Sequence, residues 1–187
     1  AYHERSQYLS LKYSLLISLL VMKEVKVLKR NTCAYLGHDE IKFIPRLHHK
    51  RCLIFPFAAE QESNVFNGSG PLIVVGQYGY QPNYKMLKSI HSVADRIHGE
   101  VWVYGSNIPD LPCKGNMKIK GYAENLEDIY RGARALLYAV DYGGGIKNKV
   151  VEAMSYGIPT IGYKEAFTNL NLVSGEACLV VDSLGEL

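Results

Sequence analysis

Asp141-Tyr-Gly-Gly-Gly-Ile-Lys-Asn-Lys-Val-Val-Glu-Ala-Met-Ser-Tyr-Gly-Ile-Pro159 carries more structural information than any other part of the chain. It follows an apolar run, Ala135-Leu-Leu-Tyr-Ala-Val140, that reads as a strand. The glycines at 143–145 then open a helix expected over Gly145–Tyr156 and capped by Gly157, and Pro159-Thr-Ile-Gly162 reads as the next strand. Glycines at a helix N-terminus leave backbone N–H groups accessible where the helix dipole favours an anion. Lys147 and Lys149 are expected in the first turn or so, where a cation is unfavourable for the helix itself, so an anionic partner explains them better than capping. Glu152 lies farther along. A carboxylate only accepts hydrogen bonds, which suits vicinal sugar hydroxyls. Taken alone, a glycine-rich loop before a helix is a modest signal, and a structural turn accounts for it at least as well.

Upstream, Pro71-Leu-Ile-Val-Val-Gly76, Glu100-Val-Trp-Val-Tyr-Gly105 and Met117-Lys-Ile-Lys-Gly121 read as strands that each end in glycine. Between the first two, Asn83–His98 places Met86, Leu87, Ile90, Val93, Ala94 and Ile97 at three- and four-residue steps, the stripe of an amphipathic helix. Asn125–Ala133 reads as a short helix and Ala177–Val181 as a sixth strand. Such alternation predicts an α/β fold, a Rossmann-like parallel sheet with helices on both faces, whose ligands bind outside the carboxyl ends of the strands.

A helical and irregular segment precedes this layer. Residues 8–28 read as a helix that is apolar on more than one face, followed by short extended pieces at Cys33–Leu36, Ile41–Ile44 and Cys52–Phe57. The expected division is therefore 1–58, a remnant of a first domain or a helical extension with an interdomain linker; 59–70, a polar loop; and 71–187, the α/β domain. Both ends are expected to be cut, since the chain starts at Ala1 and stops at Ser183–Leu187, where a helix would begin.

Composition narrows the class. With 48% hydrophobic and 21% charged residues the chain has the balance of a globular protein. A net charge of +3 is too small for an electrostatic nucleic-acid binder. The densest basic run, Arg46 with His48-His-Lys-Arg51, reads first as a solvated loop face and second as a contact for an anionic acceptor or for membrane headgroups. Cysteines at 33, 52, 113 and 178 are spaced for neither a disulfide framework nor a zinc site. Leu15–Met22 is far shorter than the roughly 20 residues that span a bilayer. The expected location is cytoplasmic, with peripheral attachment at the inner face of the membrane as its variant.

Gly143–Pro159 closely resembles the donor-site signature of glycosyltransferase family 4, in the subgroup with Gly-rich loop, Ile-Lys-x-Lys and Glu-Ala-Met. Val74-Val-Gly-Gln-Tyr-Gly-Tyr-Gln-Pro-Asn83 is similar to that family's first strand and following loop, and Lys118–Tyr130 to its strand, glycine and short helix. Phe55-Pro-Phe-Ala58 falls where the family's linker enters its second domain, and the similarity spans roughly residues 52–182.

The resemblance implies one half of a GT-B fold that binds a nucleotide sugar. Glu152 would hydrogen-bond the ribose, and the backbone at Gly144, Gly145 and Ile146, with Lys147, would hold the diphosphate. Gly76 and the loop Gln77–Asn83, with Gln77 and Tyr78 foremost, would approach the phosphates or sugar from the facing strand, and Tyr122 with Ala123 would border the base. The plainer reading of Glu152 is an ion pair with Lys149, and of Tyr78 and Tyr122 is packing. Two positions depart from the family. Many members carry a second Glu where this chain has Gly144, and a basic residue where it has Gln77, leaving Lys85 or Lys147 as substitutes.

The implied activity is a retaining, metal-independent transfer of a sugar to a glycan or lipid-linked acceptor held by the first domain, with no cofactor and no bound metal. The chain has no Asp-x-Asp, and none of its histidines (3, 38, 48, 49, 91, 98) has the spacing of a general base. The alternative is a non-catalytic module that binds a nucleotide or glycan as partner of a catalytic subunit. A dinucleotide-dependent oxidoreductase fits poorly, because Gly76-x-x-Gly79 is not the full Gly-x-Gly-x-x-Gly pattern.

Overall fold

Leu72–Gln77 sits at the centre of the molecule's main sheet, and five of its six residues are buried. The computed structural model describes residues 22–23, 25–27, 31–35, 52–54, 68–112, 114–143 and 145–186. The chain divides into two units, Ala1–Phe57 with Tyr142–Ile146, and Ala58–Asp141 with Lys147–Leu187.

In the first unit, residues 22–23 and 25–27 are helical. Strands β1 (Cys33–Tyr35) and β2 (Cys52–Ile54) pair in parallel, with Cys33 opposite Cys52. Gly143 (φ 130°) and Gly145 (φ 72°) take the positive φ that glycine allows. The rest of the expected 8–28 helix, the piece at 41–44, the basic run at 46–51, the linker at 55–58, most of the polar loop at 59–70, and Gly144 lie outside the described residues.

The second unit carries β3 (Leu72–Gln77), α1 (Gln81–Val93), β4 (Val101–Ser106), β5 (Met117–Gly121), α2 (Leu126–Tyr130), β6 (Ala135–Leu137), α3 (Asn148–Ser155), β7 (Thr160–Gly162) and β8 (Cys178–Val180). All pairings are parallel, in the order β5-β4-β3-β6-β7-β8. This is the expected Rossmann-like α/β layer. Its central strands are continuous apolar runs because both faces are covered: Ile73, Val74, Val103, Leu136 and Leu137 have no exposed surface, nor do Leu87 and Ile90 of α1. Each such side chain contributes about 1.5–3 kcal/mol on burial.

Strand order reverses between β3 and β6. Right-handed crossovers then put α1 on one face and α2 and α3 on the other, and the carboxyl ends of β3 and β6 are where a sheet of this order is expected to bind a ligand. The ends of β3 and β4 approach so closely there that only glycine fits: a Cβ on Gly105, whose φ is +136°, would lie 1.7 Å from the carbonyl oxygen of Gly76.

Element boundaries differ from expectation for local reasons. α1 starts at Gln81 rather than Asn83, since Pro82 is tolerated in a first turn, where its missing N–H is not needed. α2 stops at Tyr130, because Arg131 is extended and Gly132 is left-handed. α3 starts at Asn148, not Gly145: the left-handed Gly145 cannot belong to a helix, and Lys147 takes the extended N-cap conformation. Among the described residues, no helix is long and apolar enough to cross a membrane.

Candidate functional site

One side of that expected site is the turn from β3 into α1. Gly76 is buried and Gln77 exposed. The Gln77 carbonyl accepts hydrogen bonds from the Tyr80 amide (3.2 Å) and the Asn83 side-chain amide (3.0 Å), which fixes the turn against the helix. A Cβ on Gly79 would come within 2.8 Å of the Gln77 amide nitrogen, so the Gln77 side chain lies across the turn. Tyr78 points the other way. It is 3% exposed, and its hydroxyl lies 3.1 Å from the carbonyl of Tyr104 and 3.3 Å from that of Val74, both acceptors. Burial, and secondarily Tyr138, push its phenol well above the ordinary value. Tyr78 therefore shapes the turn from beneath, and packing is what its side chain does.

The second side is α3. Lys147, at its N-cap, is buried, and its carbonyl accepts from the Val150 amide at 2.9 Å. An ammonium in low-dielectric surroundings acts on an anion more strongly than one in solvent. Glu152 stands on the second turn with its side chain 16% exposed. Its Oε2 accepts a hydrogen bond from the Tyr130 hydroxyl (3.0 Å) and pairs with the Lys149 ammonium (3.5 Å). The expected ion pair with Lys149 is present and falls on Oε2, while Oε1 receives no hydrogen bond from any described residue.

Tyr130 has no exposed surface, stacks on Tyr156 with ring centroids 5.4 Å apart, and has its phenol pushed far upward by burial and by the Glu152 charge. Tyr138 directly follows β6. Burial first, then the charges of Tyr80 on the β3 side and Glu152 on the α3 side, push its phenol up to about 12.

The structure thus gathers Gly76, Gln77, Lys147 and Glu152 on elements that border the strand-order reversal. Tyr122 directly follows β5, the edge strand two places from β3, and is 75% exposed. Gly145 and Ile146 belong to the other unit's residues. Sequence reasoning gave no site role to Tyr130 or Tyr138, and reached Tyr80 only as part of the loop Gln77–Asn83. A signal existed for Tyr138, a polar-tipped aromatic inside an apolar run just before the glycine-rich loop. The Tyr130–Glu152 contact joins residues 22 apart and has no sequence signal. Among the described residues, no group of three or more His, Cys, Asp or Glu is placed to hold a metal ion.

A cleft of about 570 Å³ opens at the opposite edge, where Leu72, Ala135, Thr160 and Cys178 begin their strands. It is lined mainly by apolar side chains, and its Arg134 guanidinium donates to the carbonyl of His98 at 2.8 Å.

A family profile described as glycosyl transferases group 1 matches residues 71–184. No curated protein sequence matches the chain. Among solved structures the chain is similar to TarM, at 12% identity and a TM-score of 0.66, covering 90% of this chain and 36% of that one. It is also similar to the pneumococcal O-GlcNAc transferase GtfA in complex with UDP and GlcNAc, at 16% identity and a TM-score of 0.57, covering 82% and 34%. A third likeness is to the GtfA/B complex, at 15% identity and a TM-score of 0.54, covering 79% and 33%. At such identities the likeness is one of fold, and the chain spans about a third of each of these proteins.

Proposed function

The chain belongs to the group 1 glycosyl transferases, and from that premise we propose that it is the donor-binding part of a GT-B glycosyltransferase, taking a nucleotide sugar between the β3 turn and α3. One observation supports the reading: beside the strand-order reversal, Glu152 is held through Oε2 by Tyr130 and Lys149, and among the described residues nothing donates to Oε1. An acceptor held in this way suits a ribose diol.

In this reading Glu152 holds the ribose. Lys147 and the backbone of Gly144, Gly145 and Ile146 hold the diphosphate. The Gly76–Gln77 backbone approaches from the facing strand, and exposed Tyr122 borders the base. The leaving diphosphate is stabilised by Lys147 and the amino end of α3 in place of a metal. The reaction retains anomeric configuration, and the acceptor, a glycan or a lipid-linked sugar, binds on another part of the protein, at or near a cytoplasmic membrane face.

A second reading has support in two positions. Gly144 and Gln77 replace side chains that many relatives use on the sugar and the phosphates, which favours a nucleotide-binding module paired with a catalytic subunit. The neighbour described as the GtfA/B complex offers a parallel for such pairing.

Calorimetric titration tests the site. UDP, GDP or ADP is expected to bind more tightly than the corresponding monophosphate or NAD, and Glu152→Ala to weaken that binding by about 1.5–3 kcal/mol, roughly tenfold or more. Equal affinity for NAD and monophosphates, or indifference to Glu152→Ala, would remove the donor-site reading. A catalytic protein turns over the matching nucleotide sugar, whereas a binding module does not.

A further inference from the structure

We propose that Tyr130 is a positioning residue that gives this site its preference for ribonucleotides over 2′-deoxyribonucleotides, by holding Glu152 with Oε1 turned to the ribose. The proposal rests on the donor-site reading above. Tyr130 is anchored in three ways: its ring has no exposed surface, it stacks on Tyr156 at 5.4 Å with 22° between planes, and its hydroxyl donates to Glu152 Oε2 at 3.0 Å. Lys149 approaches the same oxygen at 3.5 Å from the preceding turn of α3. Both contacts fall on Oε2, so the carboxylate cannot exchange its oxygens without breaking both.

Glutamate loses much rotamer freedom when fixed. Here the fold has fixed it before any ligand arrives, and the two acceptor sites of Oε1 match two vicinal hydroxyls. A 2′-deoxyribose would desolvate Oε1 and satisfy only part of it, which is how sites built to bind a hydroxyl reject the analogue that lacks it. Phenylalanine at 130 keeps the ring stack and removes the hydroxyl. Oε2 is then held by the part-exposed Lys149 alone, the carboxylate turns more easily, and the distinction between the two sugars shrinks.

The experiment titrates each of UDP, GDP and ADP, and their 2′-deoxy forms, into the wild-type chain, Tyr130→Phe, Lys149→Met and Glu152→Ala, with a thermal melt of each variant. The wild type is expected to prefer the ribonucleotide by about tenfold. Tyr130→Phe should reduce this preference to within about threefold while leaving affinity for the deoxy form within about twofold. Lys149→Met, which loosens the same oxygen from the solvent side, should lower the preference less, and it carries the test if Tyr130→Phe does not fold. An unchanged preference in Tyr130→Phe, or equal loss for both sugars, overturns the proposal, since equal loss is what a purely structural tyrosine would give. A preference that survives Glu152→Ala, or no diphosphate binding by the wild type, instead overturns the donor-site reading beneath it.

Discussion

The two ends of the sheet offer opposite things to a ligand. At the amino ends of β3, β6, β7 and β8 there is room, about 570 Å³, walled by Leu72, Ile97, Ala135, Pro159, Ile161 and Leu179. At the carboxyl ends the space is closely fitted, to the point that Gly105 has no clearance for a Cβ, but ionisable and hydroxyl groups converge there: Lys147, Lys149, Glu152, Tyr80, Tyr130 and Tyr138. Volume marks where side chains fail to fill space. Recognition needs donors and acceptors held in place, and in a parallel sheet helix N-termini gather them at the carboxyl ends. In the amino-end cleft, Arg134 serves the His98 carbonyl, and the buried Thr160 hydroxyl has no partner among the described residues.

This contrast can be broken experimentally, and Gly105→Ala is the severest trial. Its methyl would meet the Gly76 carbonyl at 1.7 Å in a backbone conformation that alanine resists, so a loss of about 3–5 kcal/mol is expected in the denaturation midpoint, together with loss of nucleotide binding. A loss under about 1 kcal/mol would mean that the strand ends yield easily and that the carboxyl-end fit is not a constraint.

Alkaline pH comes next. The phenol of Tyr138 is raised to about 12 from an ordinary value near 10, and Tyr78 and Tyr130 are raised as well. The folded state therefore keeps its protons longer than the unfolded one. Stability is fully present below pH 10 and falls as pH rises from 10 through about 12, by roughly 2–3 kcal/mol for Tyr138 alone. Denaturation midpoints between pH 8 and 11.5, read beside tyrosinate absorbance, check this. Free ionisation of all tyrosines in the folded protein near pH 10 would contradict the buried carboxyl-end cluster.

Thr160→Val sharpens the other side of the comparison. It removes a buried hydroxyl that has no partner among the described residues and keeps its shape, so stability should rise by about 1 kcal/mol with nucleotide binding unchanged. Weaker nucleotide binding in this variant would draw the amino-end cleft into the site.

How far the sequence alone reaches follows from the same division. β3, β4 and α1 announce themselves, because a strand covered on both faces must be a continuous apolar run and a helix buried on one must repeat at three and four. Lys147 and Glu152 were legible through the spacing of a known signature. The start of α3 was not, since a glycine in a helix-forming context gives no sign that tertiary structure will hold it left-handed, as at Gly145. Tyr78, which sits in a site-like turn, faces the core because its hydroxyl finds strand carbonyls that only the folded sheet brings together. Tyr130 meets Glu152 for the same reason: α2 and α3 share a face only after the strand order has reversed.

The most direct test of the central claim is an amide-resolved NMR titration of the chain with the nucleoside diphosphate that binds it. The account predicts that shifts concentrate at Gly76–Tyr80 and Lys147–Glu152, on the two sides of the carboxyl-end site. Shifts concentrated instead at Leu72, Ala135, Thr160 and Cys178, with the α3 amides unmoved, would place the ligand in the amino-end cleft and contradict it.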